Sequence, residues 1–210
     1  MKKRLHDKKA GIAILISLIV IALAETIGNL ILNTEFSTFN LGEPFATLVF
    51  AAITLFFTCK NKDRISYICY GAWIAWFVMN QIFELPGMIS TLCSTVGNID
   101  ALVAAGTAVH ALISIGLRMV IMICIIAIGA LLVEYMNDGS IYNKAFNAMS
   151  VITILLLVAS VIWGIVVMRN STNMIIYIIN SLSRIAMVFM TTFFAYDSAK
   201  AQLKKTNLTK

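Results

Sequence analysis

Tyr177-Ile-Ile-Asn-Ser-Leu-Ser-Arg-Ile-Ala-Met187 is an apolar stretch with a cation near its centre. Arg184 stands ten residues from Met174 and twelve from Tyr196, the ends of the apolar run. A helix rises about 1.5 Å per residue, so on a helix Arg184 lies about 15 Å from the Met174 end, near the middle of a hydrocarbon layer about 30 Å thick. A guanidinium does not shed its proton there. Placing it at that depth costs about 2.5–3.5 kcal/mol even after adaptation, so it must face protein or water and find an acidic partner.

The surroundings support a membrane reading. The 210 residues are 60% hydrophobic and 12% charged, with mean hydropathy +0.90, whereas a soluble domain has about 25% charged residues. Apolar runs of bilayer-crossing length recur along the chain. The expected fold is an all-α polytopic membrane helix bundle forming a single integral membrane domain over residues 1–210. It has six transmembrane helices, at about 11–32, 45–59, 65–85, 113–134, 145–168 and 174–197.

Span one follows a basic head (Lys2, Lys3, Arg4, Lys8, Lys9). This segment also has the layout of a signal peptide, with Ala22-Leu23-Ala24 as a cleavage site, but its apolar run continues to Leu32, which favours a retained helix. Residues 33–43 are expected as a polar loop, with Pro44 in the first turn of span two. Span three is expected to stop at Pro86-Gly87, followed by a polar segment to residue 100. The apolar stretch from Ala101 to Val133 would be about 50 Å long as one helix, too long for an upright crossing. It divides into a short outer helix over 99–112 and span four proper, with Gly116 as a bend.

Thirteen of the sixteen Lys and Arg fall on one side of this arrangement: five in the head, three in the turn at 60–64, Lys144, and four in the tail. The opposite side has Arg169, while Arg118 and Arg184 are embedded. The positive-inside rule then puts both termini in the cytoplasm of a multi-pass protein of the cell membrane. The net charge of +6 is thus topological and faces anionic lipid; it implies a lipid bilayer as partner and no nucleic acid. The four cysteines (Cys59, Cys69, Cys93, Cys124) form no C-x-x-C pair and, with only His6 and His110 beside them, assemble no metal site; no cofactor is implied.

Four spans carry polar residues three or four apart, on one helical face each. They are Glu25 and Asn29 in span one, and Trp76, Asn80 and Glu84 in span three with Gln81 beside them. Span four adds His110, Ser114 and Arg118, if its helix continues across the join, and span six adds Tyr177, Asn180, Ser181 and Arg184. Two of these faces are acidic and two basic. Counted by helical rise, all converge on the outer half of the membrane: Glu25 about 21 Å and Glu84 about 28 Å from the inner edge, Arg118 about 8 Å and Arg184 about 15 Å from the outer one. The inner halves of spans two, four and five are almost wholly apolar, which suggests a space open to the outside and closed toward the cytoplasm. A purely structural use of the same residues would pair Glu25 with Arg184 and Glu84 with Arg118.

Three functions are expected from this pattern. The first is a small-molecule transporter, or its substrate-capturing membrane subunit, in which Arg184 and Arg118 bind a carboxylate or phosphate and Glu25 or Glu84 an amino group or proton. Its ligand would be small and anionic or zwitterionic. By size and topology the chain resembles the substrate-binding subunits of energy-coupling-factor vitamin transporters. That resemblance implies partner membrane or ATPase subunits to supply energy, since no nucleotide-binding motif occurs here. The second is a non-catalytic immunity, sensor or assembly protein whose buried ion pairs are structural. The third is an intramembrane hydrolase using Glu84, His110, Arg184 and Asn80, although neither H-E-x-x-H nor G-x-S-x-G is present.

Overall fold

The structure, a computed structural model, describes residues 8–32, 38–138, 143–167 and 174–206. Seven helices account for the regular structure among them: α1 (Lys8–Leu32), α2 (Thr38–Cys59), α3 (Asp63–Gly97), α4 (Ile99–Ala104), α5 (Ala108–Asp138), α6 (Asn143–Val167) and α7 (Met174–Thr206). Four of them, α1, α5, α6 and α7, hold segments long and apolar enough to cross a membrane: Lys9–Gly28, Ala108–Val133, Lys144–Val167 and Tyr177–Tyr196. In α2 the apolar part is shorter, Pro44–Cys59. Helices suit such sequences because each backbone N–H and C=O is satisfied within its own segment.

The helix faces differ in packing more than in polarity. On α1 the row Gly11, Leu15, Leu18, Ala22, Glu25 is buried, while Ile16, Val20, Leu23, Ile27 and Leu30 are exposed. An outward row as apolar as the inward one has no use in water and is expected against lipid tails. Inward rows also carry small or hydroxylated residues, as on α2, where Thr47, Ala51, Thr54 and Thr58 are buried. Such residues let helix backbones approach closely where no hydrophobic force drives association. Thr54 and Thr58 turn their hydroxyls back on the carbonyls of Phe50 and Thr54, and Thr58 meets Ser66 of α3 at 2.6 Å.

The long helices pack in chain order, α1 on α2, α2 on α3, α3 on α5, α5 on α6, α6 on α7, and α7 returns to α1, while α3 and α5 also touch α7 across the interior. Near the start of α1, the Tyr70 hydroxyl donates to the Gly11 carbonyl at 3.4 Å. Phe194, late in α7, lies against the Tyr67 and Tyr70 rings, at centroid distances of 4.6 and 6.0 Å. This end of the bundle is filled by large side chains: Tyr70, Trp73, Phe77, Phe146 and Phe194 are all buried, and Trp73 stacks on Phe50 at 6.3 Å.

Several expected boundaries differ. α2 begins at Thr38, so Pro44 stands six residues beyond the helix start and not in its first turn, where it forfeits a backbone bond and crowds the turn before it. Of the loop expected over 33–43, residues 33–37 lie outside the described residues. α3 passes through Pro86-Gly87 and runs 35 residues to Gly97, so no polar loop follows residue 85. The short outer helix is only Ile99–Ala104, and α5 starts at Ala108 and continues through Gly116 without a break. The break falls at Gly106, whose φ of +68° suits a residue without Cβ. Its N–H bonds the Val103 carbonyl at 3.0 Å and the Thr107 N–H bonds Leu102 at 2.9 Å, the paired bonds of a Schellman ending. Asn61, φ 56°, ends α2 in the same way, with Asn61 N–H to Thr58 and Lys62 N–H to Phe57. α7 extends to Thr206 and takes in Lys200, Lys204 and Lys205, expected as tail. The basic head through Asp7 and the turn around Arg169 lie outside the described residues.

Candidate functional site

Glu84 gathers the site. It lies one turn after Asn80 on α3, and Asn80 Nδ2 donates to Glu84 Oε1 at 3.0 Å. Its other oxygen, Oε2, faces two cations from two other helices: Arg118 Nη2 of α5 at 3.5 Å and Arg184 Nη2 of α7 at 4.0 Å. The expected pairing of Glu84 with Arg118 is present. Arg184, expected to pair with Glu25, instead shares Glu84. α7 packs on α1 and also touches α3 and α5 across the interior, and Arg184 falls on the part of α7 that meets Glu84 and lines the cavity with Arg118.

Both contacts are loose. A charge-assisted N–H to carboxylate bond spans about 2.7–2.9 Å, and 3.5 and 4.0 Å are ion-pair distances only. Glu84 Oε2 is buried yet has no hydrogen-bond partner among the described residues, and no hydrogen bond among them reaches either guanidinium. The Arg184 side chain is 18% exposed and that of Arg118 49%. Together the arginines carry ten N–H donors, since each guanidinium has five.

Next to them is a cavity of about 410 Å³ walled by α3, α5, α6 and α7. Its polar lining includes Arg118, Arg184, Tyr177, Asn180, Ser160 and Ser114. Met88, Ile115, Ile121, Leu157 and Val167 supply apolar wall. The helix end beyond Pro86 therefore forms part of the site, because Met88 and Thr91 both line it.

Hydrogen bonds fix the α6 side of the cavity. The Tyr177 hydroxyl donates to the Ser160 carbonyl at 3.0 Å, so at 2.6 Å the Ser160 hydroxyl must donate back to the Tyr177 oxygen. The Tyr177 ring lies directly over Gly164, leaving no room for a Cβ there. Trp163 Nε1 donates to Ser114 Oγ at 3.0 Å, and Ser114 in turn donates to the His110 carbonyl at 2.8 Å. Because α5 is continuous, His110, Ser114 and Arg118 do share one face. The His110 ring is exposed and lies 5.5 Å from the Trp163 ring, beside the cavity and not in its lining.

Other expected members fall elsewhere. Trp76 is half-buried against Phe50 of α2, ring centroids 6.0 Å apart, and packs on the core. Glu25 is 5% exposed on the inward row of α1, which packs on α2 and α7 and contributes nothing to the cavity lining. Gly11 and Tyr70 are bonded, and Glu25 and Glu84 each lie fourteen residues further along, a rise of about 21 Å, so the two acids stand at similar heights along their helices. What sets Glu25 apart is that no described residue of α1 walls the cavity. The Asn29 side chain lies outside the described residues. Gln81, fully buried, has neither amide atom hydrogen-bonded among the described residues.

Sequence reasoning missed Ser160, Trp163 and the Met88–Thr91 wall. Ser160 and Gly164 form a small-x-x-x-small pair, a spacing that marks close helix approach and would have pointed to the Tyr177 contact. Among the described residues no three His, Cys, Asp or Glu gather as metal ligands. Compared with protein-family models, with curated proteins and with solved structures, the chain finds no match in any of the three.

Proposed function

We propose that this chain is a small-molecule membrane transporter, or the substrate-capturing membrane subunit of one. Six helices, α1, α2, α3, α5, α6 and α7, cross the cell membrane, and both termini are cytoplasmic. The cavity opens on the outer side. One observation carries the reading: two arginines, costly to embed, line a space of about 410 Å³ and donate no hydrogen bond to any described residue. Ligand pockets for small molecules occupy about 300–1,000 Å³, mostly apolar with a few convergent polar groups. Arginines serving only to hold helices together would be expected to donate to their partners.

Opposite the cavity, the end bearing Tyr70, Trp73 and Phe194 is packed solid, which supports a site with access from one side. The chain's own cysteines test the orientation. Cys59 ends α2 and Cys93 lies in the far part of α3; both are exposed. A membrane-impermeant maleimide applied to intact cells should label Cys93 and reach Cys59 only after permeabilisation. The reverse pattern sinks the topology. For the site, native mass spectrometry of protein purified from its membrane should find a retained small molecule that is lost from a folded Arg184→Ala variant. Equal retention by that variant counts against the cavity as the binding place.

A further inference from the structure

We infer that the cavity takes a compact oxyanion, a carboxylate or phosphate group on a largely apolar body, and that this group binds by displacing Glu84 from between Arg118 and Arg184. The inference rests on the reading of the cavity as a ligand site and names the ligand's chemistry. A single atom, Glu84 Oε2, already faces both guanidiniums, so one incoming anionic group can touch both. The resident carboxylate uses the position poorly, at 3.5 and 4.0 Å with no hydrogen bond to either arginine. Glu84 is tethered on α3 through Oε1 by Asn80, which holds it short of the cations. A free anion has no such tether and can close to bonding distance on both.

Charge balance points the same way. Two guanidiniums face one carboxylate, so the empty site has an excess positive charge that an anion neutralises. Once displaced, Glu84 keeps its bond from Asn80. The remaining lining suits the rest of such a molecule: Ile115, Ile121, Leu157 and Met88 enclose an apolar body. Glu84 thereby acts as an internal stand-in, balancing one of the two guanidinium charges until the ligand arrives.

The test uses the full chain in phosphatidylcholine nanodiscs, titrated with phenyl phosphate and benzoate and with uncharged benzyl alcohol as control. Trp163 lines the cavity, and its fluorescence reports binding. Phenyl phosphate or benzoate should bind and benzyl alcohol should not. Glu84→Gln removes the competitor and should tighten anion binding about tenfold to a hundredfold. In that background Arg184→Gln or Arg118→Gln should loosen it by a similar factor. Glu84→Asp, which keeps the charge but retracts it, is the second variant and should tighten binding to a smaller degree. Adding phosphatidylglycerol to the nanodiscs separates two sources of the anionic group. Competition with phenyl phosphate assigns the site to a lipid headgroup, and its absence assigns it to a dissolved solute; either result supports the exchange. Anion binding that Glu84→Gln leaves unchanged or weakens overturns the exchange, as does equal binding of benzyl alcohol, and both leave the cavity standing as a ligand site. A cavity that takes none of the probes and retains no native molecule overturns the inference and the proposed function together.

Discussion

The two ends of this helix bundle are built from the same kinds of helix and held in opposite ways. At the end with Gly11 and Phe194, aromatic rings fill the interior, and Thr58 and Ser66 close a short hydrogen bond between α2 and α3. At the other end α3, α5, α6 and α7 surround a cavity, and three charged groups meet at distances too long for hydrogen bonds. Side chains spent on one another leave nothing for a guest. The contrast teaches where binding capacity resides: in groups that the fold brings close but leaves unsatisfied.

Substitutions at the two ends should therefore differ in kind. Trp73→Ala at the packed end should have the largest effect on stability, about 3–5 kcal/mol, because the indole is fully buried and stacked on Phe50. Unfolding in mixed micelles measures it; a loss under 1 kcal/mol would mean that this end is not the tight one. Gly164→Ala comes next, at about 1–3 kcal/mol, since its methyl would collide with the Tyr177 ring. It should also reshape the cavity, so anion titration and unfolding ought to shift together. Tyr177→Phe should cost about 1 kcal/mol, from the loss of the bond it donates to Ser160 and the one it accepts. Arg184→Gln should have the smallest effect on stability, below about 0.5 kcal/mol, because its ion pair at 4.0 Å is loose and an embedded charge is removed with it. A loss as large as that of Trp73→Ala would erase the distinction between the ends and make the arginine a packing residue.

How far the sequence revealed this depends on the kind of signal. The helices α1, α6 and α7 were legible to within a few residues at their apolar cores, because uninterrupted apolar runs of bilayer length have few other stable uses. The break between α4 and α5 was misplaced. Small residues around Ala104 drew attention to composition, while Gly106-Thr107, a glycine for the helix end and a threonine before the next helix, held the local signal. Pro86 signals a stop, since an interior proline loses a helical bond and crowds the preceding turn at about 3 kcal/mol, yet α3 continues through it. Within the site, spacing along each helix correctly put Asn80 beside Glu84 and Arg118 on the face of Ser114. It could not say which helices are neighbours. Glu25 lies on α1, no described residue of which walls the cavity, because which helix faces surround a space is set by packing between helices and leaves little trace in periodicity.

The continuation of α3 beyond Pro86 has a consequence for where the protein can work. Thirty-five helical residues measure about 52 Å, against about 30 Å of hydrocarbon. In the proposed six-span arrangement a helix so long in so thin a slab leans, or stands clear of the lipid at one rim. Met88 and Thr91 lie beyond Pro86 in that length and wall the pocket. In that arrangement membrane thickness sets how high the pocket's lip rides above the headgroups, so the host's lipids help to govern what reaches the arginines.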